Sequence, residues 1–157
     1  MIQGYCIGAG MAVALGADIR IAAAGSRFAI PAARLGIGYP LPEVHTLVSA
    51  VGPARAAEIL FTDDQFSTDQ ALAAGLINRV VYPGELEVAV AELARRLADN
   101  APLSIRAAKA AIRASVIGTP GLRATAEKHI SACAGSADAR EGQRAFLEKR
   151  PPRFTGA

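Results

Sequence analysis

The stretch GYCIGAG at residues 4–10, followed by the alanine-rich run MAVALGA at 11–17, decides how the chain begins to fold. Residues 1–7 mix strand-forming side chains with glycine, which predicts a buried strand. Gly8 and Gly10 then predict a tight turn, and the run at 11–17 predicts a short helix directly after it. Because the first amides of a helix have no partner within it, this turn can present backbone N–H groups to a ligand.

Spacing alone leaves two interpretations of the turn open. One amide aimed at a thioester carbonyl would stabilise a developing oxyanion by roughly 2.7–4 kcal/mol. The small residues can equally serve only to pack the strand closely against the helix, and spacing by itself favours that interpretation. A dinucleotide-binding glycine fingerprint is disfavoured, because Val13 stands at its third glycine position.

Downstream of the turn, the pattern predicts short strands first and helices later. Residues 18–22 alternate polar and apolar side chains, 28–30 is a short segment bounded by Pro31, and 76–81 is typical of one more short strand, so all three are predicted strands. Prolines make 36–42 a predicted loop. Neither a repeat nor a linker divides the chain. Helices, some preceded by a cap signal such as Ser67, are predicted at 43–51, 53–60, 71–74, 85–99, 101–117 and 121–133.

Composition bounds the class of protein. The 157 residues are 52% hydrophobic and 20% charged, which indicates a folded domain. The net charge of +3 is scattered, and aromatic residues make up only 5%, so a nucleic-acid partner is not expected. Cys6 and Cys133 lack disulfide or metal-ligand spacing, so we expect no metal and a reducing, cytoplasmic location. Glycines and Asp18 interrupt the N-terminal apolar run, so we expect neither a signal peptide nor a membrane contact.

A series of motifs resembles the enoyl-CoA hydratase/isomerase (crotonase) family, in the same order and across essentially the whole chain. The motifs are GYCIGAG at 4–10, DIRIA at 18–22, FAIP at 28–31, LG at 35–36, VGPARA at 51–56, EILFT at 58–62, ALAAGLINRVV at 71–81 and EGQRAFLEKRPPRF at 141–154. The resemblance implies an α/β fold. Residues 1–82 would form the C-terminal part of a spiral β-β-α core, and residues 83–157 would form a helical oligomerisation region.

The family resemblance also implies a function. Family members bind acyl-CoA thioesters and hold the carbonyl oxygen with two backbone amides, and Ala9 matches the position of the second. Coenzyme A enters as part of the substrate, and no other cofactor is implied. The expected assembly is a homo-trimer or hexamer. A full family member has roughly 250 to 270 residues by this resemblance, so the chain resembles a C-terminal half that lacks the first amide.

The chain departs from the family at its acid and base. Hydratases of the family use two glutamates, and the matching positions here hold Ala12 and Ala32. Because a methyl group cannot transfer a proton, hydration by the usual mechanism is not expected. Two hypotheses stay open: an acyl-CoA enzyme with different chemistry, and a non-catalytic or truncated acyl-CoA binder.

Substitute acid and base groups within the chain would come from residues 36–46. Glu43, His45 and Tyr39 are the candidates, although Glu43 and His45 are two apart and do not share a helical face. Each also has a purely structural interpretation. Glu43 suits the first turn of a helix, His45 suits a surface or packing position, and Tyr39 suits the wall of an acyl pocket.

The basic C-terminus supplies the candidates for cofactor-binding residues. Lys149 and Arg150 are the positions at which the resemblance places contacts with the CoA phosphates, in a neighbouring subunit. A solvated basic surface is an equally good interpretation of the same two residues.

Overall fold

The computed structural model describes all 157 residues, which form two compact units, Met1–Ala91 and Glu92–Ala157. The first unit holds every strand, and the second is helical, so the α/β prediction is confirmed. The strands are β1 (Tyr5–Ile7), β2 (Ile21–Ala23), β3 (Arg27–Ala29) and β4 (Arg79–Val81). The helices are α1 (Ala9–Leu15), α2 (Leu41–Thr62), α3 (Thr68–Ala73), α4 (Leu86–Ala98), α5 (Pro102–Ile117), α6 (Pro120–Ala134) and α7 (Ala137–Leu147), with a 3₁₀ turn at Pro83–Glu85.

The strands form two parallel pairs. β1 pairs with β3, so that Cys6 lies opposite Phe28, and β2 pairs with β4, so that Ala22 lies opposite Val80. Ile2 adds a bridge beside Ala22. Parallel strands need a crossover connection, and α1 lies in the segment that joins β1 to the two following strands. This arrangement places the start of α1 directly after the end of β1.

The core of the first unit combines a few large side chains with many alanines. Phe28, Met11 and Leu47 are at most 1% exposed and belong to one continuous apolar cluster. Burial of each such side chain contributes about 1.5–3 kcal/mol. Ala22 and Ala71 are fully buried in the same cluster, which allows the elements to approach closely.

Helix α2 joins two segments that were predicted as separate helices. Gly52 has φ 77 and ψ 163, a backbone conformation that favours glycine, and Pro53 follows it. The helix is therefore kinked at Gly52 and continues beyond it. It also begins at Leu41, so the prediction of a loop through residue 42 is wrong by two residues. Pro42 is tolerated there because a proline in the first helical turn gives up no intrahelical hydrogen bond.

Capping residues in the sequence predict some helix boundaries, whereas a helix with few buried apolar residues is not predicted. Ser67 caps α3 in a reciprocal box, since its Oγ accepts from the Gln70 N–H and its own N–H donates to Gln70 Oε1. Helix α7 was not predicted, because Ala145 is its one buried apolar residue and no long apolar stripe marks it. Its start at Ser136 is nevertheless capped, with Oγ accepting from the Ala139 N–H at 2.9 Å.

Predicted strand boundaries were too long at the N-terminal end. β2 begins at Ile21 rather than at residue 18, and β4 begins at Arg79 rather than at residue 76. Arg20 and Asn78 are the residues directly before β2 and β4. They are joined instead by a hydrogen bond from the Arg20 N–H to Asn78 Oδ1 at 2.8 Å. None of the helices is both long and apolar enough to cross a bilayer.

Candidate active-site cavity

The turn between β1 and α1 is built around Gly8. Its φ of 56 lies in the left-handed region, where a side chain would be strained. The Gly8 N–H donates to the Ala29 carbonyl at 2.9 Å, which fixes the turn to β3. The Gly8 carbonyl accepts from Met11 and Ala12 and so starts the helix. The N–H of Ala9, the first residue of α1, forms none of these bonds, as expected for the first amide of a helix.

A cavity of about 450 Å³ lies beside this turn. Gly8, Ala9 and Ala12 line one part of it, the segment after β3 that includes Ala32 lines another, and the start of α2 closes the rest. Most of the lining is apolar. The exceptions are the side chains of Tyr39 and Glu43. The structure therefore brings Ala9, Tyr39 and Glu43 of the candidate residues together in one hollow.

The two polar side chains of the cavity have atoms without partners. Tyr39 Oη and Glu43 Oε2 are buried, and neither forms a hydrogen bond within the chain. A buried polar atom in this state costs about 1–3 kcal/mol, so native proteins seldom keep one without a reason. Burial, followed by the nearby charge of Glu43 and by Cys6, raises the pKa of the Tyr39 hydroxyl. This hydroxyl therefore stays protonated at neutral pH and is available as a donor.

Alanine methyl groups occupy the cavity wall between the turn and the start of α2. Ala12 projects from α1 and Ala32 lies after β3, and both line the hollow with Glu43. Ala32 is only 6% exposed. Neither side chain can accept or donate a proton, so Glu43 is the carboxylate among the lining residues.

Sequence reasoning missed two wall residues of the cavity. Leu35 and Ile37 line it, yet they are 64% and 59% exposed. Large apolar side chains exposed beside a hollow are typical of a surface that an apolar ligand covers. The signal in the sequence was the presence of these side chains in a proline- and glycine-rich loop, where polar residues are more common.

His45 does not reach the cavity. It follows Glu43 by two positions on α2 and is exposed, and it is absent from the lining residues. Its backbone has a structural role, because its carbonyl accepts from Ser49 Oγ at 2.7 Å. The expectation that Glu43 and His45 lie on different faces of the helix agrees with these positions.

The two basic candidates lie in the second unit. Arg150 donates to both carboxylate oxygens of Glu141, at 2.6 and 3.0 Å, and to Glu148 at 2.6 Å. The hydrogen bond from Arg150, followed by that from the Arg153 N–H, lowers the pKa of Glu141 to about 2. Lys149 is exposed and has a left-handed φ of 54. Phosphate binding by Lys149 and Arg150 stays a prediction, and Arg150 would have to share its guanidinium between Glu141 and a phosphate.

These features define an α/β protein with an apolar cavity at the start of a helix, continued by a helical C-terminal unit. The family model for enoyl-CoA hydratase/isomerase matches residues 1–157. The chain belongs to this family, and its fold is a partial crotonase-like fold.

Individual relatives agree with this assignment. The carnitinyl-CoA dehydratase of Salmonella typhi is 38% identical over 160 residues, which cover 99% of the chain and 61% of the relative. An enoyl-CoA hydratase/isomerase family protein from Hyphomonas neptunium superposes with a TM-score of 0.89 at 36% identity, over 98% of the chain and 59% of that protein. The enoyl-CoA hydratase from Bacillus anthracis gives a TM-score of 0.90 at 30% identity, over 98% and 60%. The chain thus spans about three fifths of the length of these relatives.

Proposed function

We propose that the chain carries part of an acyl-CoA thioester site, in which the Ala9 N–H stabilises negative charge on the thioester oxygen. The observation that supports this most is the position of Ala9, which is the first residue of α1 and lines the cavity. Such an amide is preorganised, so it stabilises an oxyanion without reorganisation during the reaction. Relatives that are named as a carnitinyl-CoA dehydratase and an enoyl-CoA hydratase support the same substrate class.

The cavity suits the acyl part of such a substrate. Its apolar lining, with Leu35 and Ile37 at its open edge, offers surface that an acyl chain would cover. The cofactor requirement of this proposal is limited to the coenzyme A of the substrate. Lys149 or Arg150 would hold its phosphates through charge-assisted hydrogen bonds.

The proposed reaction differs from hydration by paired glutamates. Ala12 and Ala32, which match the two glutamates of the family's hydratases, leave only methyl groups at those points of the wall. The same two alanines favour the second candidate function, an acyl-CoA binder without turnover. Turnover of any acyl-CoA decides between the two candidates.

The backbone amide can be removed by one substitution, Ala9→Pro. Proline is well accepted at the first helical position. The residue before it, Gly8, has φ 56 and ψ −116, which is the mirror image of an extended conformation, and a glycine can adopt this conformation before a proline. We expect acyl-CoA turnover to fall about 10²–10³-fold, the effect of losing one oxyanion donor. The matched control is Ala137→Pro, at the first position of α7, which should leave turnover unchanged.

The outcomes of this experiment separate the two candidates. Turnover that survives Ala9→Pro would contradict the role of the amide. Acyl-CoA binding without turnover in the unsubstituted chain would favour the binder. If calorimetry shows no acyl-CoA binding at all, the proposed function is wrong.

A trimer or hexamer belongs to the same proposal. The second unit leaves large apolar side chains exposed on its helices, among them Ile112, Ile130, Phe146 and Leu147. Exposed apolar surface of this kind is typical of protein interfaces. Sedimentation equilibrium of the chain tests it, and a monomer at all concentrations would contradict it.

A further inference from the structure

The C-terminal tail, residues 150–157, turns back after α7 and lies along that helix. We propose that this tail also binds to α7 of a second copy of the chain, so that two copies exchange their tails and become linked. The surface that receives the tail lies on α7 and at the start of α5, within the second unit. The inference goes beyond the acyl-CoA site, because no residue of the cavity takes part in it.

The tail is held on α7 mainly through its backbone amides. The Arg153 N–H donates to Glu141 Oε1 at 3.0 Å. The Thr155 and Gly156 N–H groups donate to the two carboxylate oxygens of Asp138, at 2.7 and 2.8 Å. Because Asp138 and Glu141 are three residues apart, their carboxylates lie on one face of the helix. This face is therefore a ready acceptor for the amides of an extended segment.

Two apolar contacts complete the receiving surface. The Phe154 ring lies over Gly142, where a Cβ atom would be 3.6 Å from the ring. Gly156 lies against Pro102 at the start of α5, and a Cβ atom on Gly156 would be 3.8 Å from the Pro102 Cβ. The receiving surface thus belongs to one copy, and the groups that it binds belong to one short segment. The tail of a second copy can make the same contacts.

The charges of the tail and of the receiving surface are complementary. The tail carries Arg150 and Arg153, and the surface carries the carboxylates of Asp138 and Glu141. Arg150 donates to both oxygens of Glu141, at 2.6 and 3.0 Å. These charges attract the tail of another copy as they attract the chain's own tail. Because each copy gives one tail and receives one, reciprocal exchange produces a closed dimer.

The connection between α7 and the tail is short and strained. Helix α7 ends at Leu147, and Lys149 has a φ of 54, in the left-handed region that disfavours any residue with a Cβ. Pro151 and Pro152 follow and favour an extended backbone, so the chain reverses its direction within the few residues before them. Short connections under strain favour exchange between copies. In the exchanged form Lys149 can adopt an ordinary conformation while the contacts of the tail are kept.

The test is a disulfide that can form between two copies. A Cβ–Cβ distance of 3.8 Å, as between positions 102 and 156, suits a disulfide. Chains with Pro102→Cys and chains with Gly156→Cys, both with Cys133→Ala, are mixed under reducing conditions and then mildly oxidised. We expect a linked dimer on a non-reducing gel, with positions 102 and 156 joined in its mass spectrum. Oligomers formed through the helices alone keep each tail on its own copy and do not give this link.

Two controls refine the test. Ala73→Cys, at an exposed residue of α3, replaces Gly156→Cys in a parallel mixture, which should stay unlinked to position 102. Lys149→Gly, introduced into both chains, should lower the yield of the linked dimer about fivefold or more, because glycine adopts the left-handed conformation without strain. A yield that Lys149→Gly leaves unchanged would contradict the role of this connection.

The chain that carries both Pro102→Cys and Gly156→Cys shows whether the pair can link at all. An internal link in this chain, with no link between the mixed chains, overturns the proposal. If the φ of 80 at Gly156 prevents the internal link, a fluorescein-labelled peptide of residues 150–157 is added to the unsubstituted chain instead. Saturable binding by fluorescence anisotropy, lost in Asp138→Asn, supports the proposal. Absence of binding, or binding that Asp138→Asn leaves unchanged, overturns it.

Discussion

Two carboxylates show how differently the two units use buried polar groups. Asp138, in the second unit, is 3% exposed and fully engaged, since its oxygens accept from the Thr155 N–H at 2.7 Å and the Gly156 N–H at 2.8 Å. Glu43, in the first unit, keeps a buried oxygen without any partner. The first pattern fixes the C-terminal tail onto α7. The second leaves an acceptor free beside a cavity.

This difference teaches which charged residues to examine for function. Glu141 and Arg150 lie among charged residues at the basic end of the chain, and their mutual bonds give Glu141 a structural role and leave Arg150 to share its guanidinium with any phosphate. Glu43 and Tyr39 occupy an ordinary helix start, but their unpaired atoms make the first unit the better place for chemistry. A partner within the chain argues for structure, and its absence in a buried site argues for a ligand.

The largest effect on stability is expected from Asp138→Ala. Its removal breaks hydrogen bonds to a buried carboxylate and leaves two backbone amides to find other partners, which costs about 2–3 kcal/mol. Urea unfolding followed by circular dichroism measures the loss. Asp99→Ala, at an exposed residue of the same unit, should change the unfolding free energy by less than about 0.5 kcal/mol. A loss equally small for Asp138→Ala would mean that the tail is not held by this carboxylate.

Sequence predicted the features whose signals are local. Ser67 and Gln70 stand three residues apart and formed the expected cap, and Gly8 provided the turn that its position indicated. Motifs that resemble a known family added the fold class, which no single periodic pattern would have given. Boundaries that depend on backbone conformation were less predictable, as the continuation of α2 through Gly52 shows.

The features that sequence did not predict depend on distant residues. Asp138 meets Thr155 and Gly156 across 17 and 18 positions of sequence, so spacing gave no sign of the pairing. Spacing did place Glu43 and His45 on different faces of α2. It could not show which of these two residues lines the cavity, because that depends on how α2 packs against the rest of the first unit.

A smaller effect on stability is expected when the pH is lowered. Because the bond from Arg150 lowers the pKa of Glu141 from 4.5 to about 2 in the folded chain, Glu141 stabilises the fold above its unfolded pKa. That contribution is lost as the pH falls from about 4.5 towards 2. Urea unfolding at pH 5, 4, 3 and 2 should therefore give a flatter pH dependence for Glu141→Gln than for the unsubstituted chain. If the two proteins showed the same pH dependence, the Glu141–Arg150 pair would stabilise the fold equally whether Glu141 is charged or protonated.

The smallest effect on stability is expected from Tyr39→Phe, and it tests the opposite side of the comparison. The Tyr39 hydroxyl is buried without a partner, so its removal deletes no hydrogen bond within the chain. The ring, which packs against the core cluster, remains in Phe. The unfolding free energy should therefore stay the same or rise by up to about 1 kcal/mol, because an unsatisfied polar atom leaves the interior. Tyr82→Phe, at an exposed residue, provides the reference. A loss of more than about 1 kcal/mol in Tyr39→Phe would show that the hydroxyl has a partner in the folded chain, and the contrast with Asp138 would no longer hold.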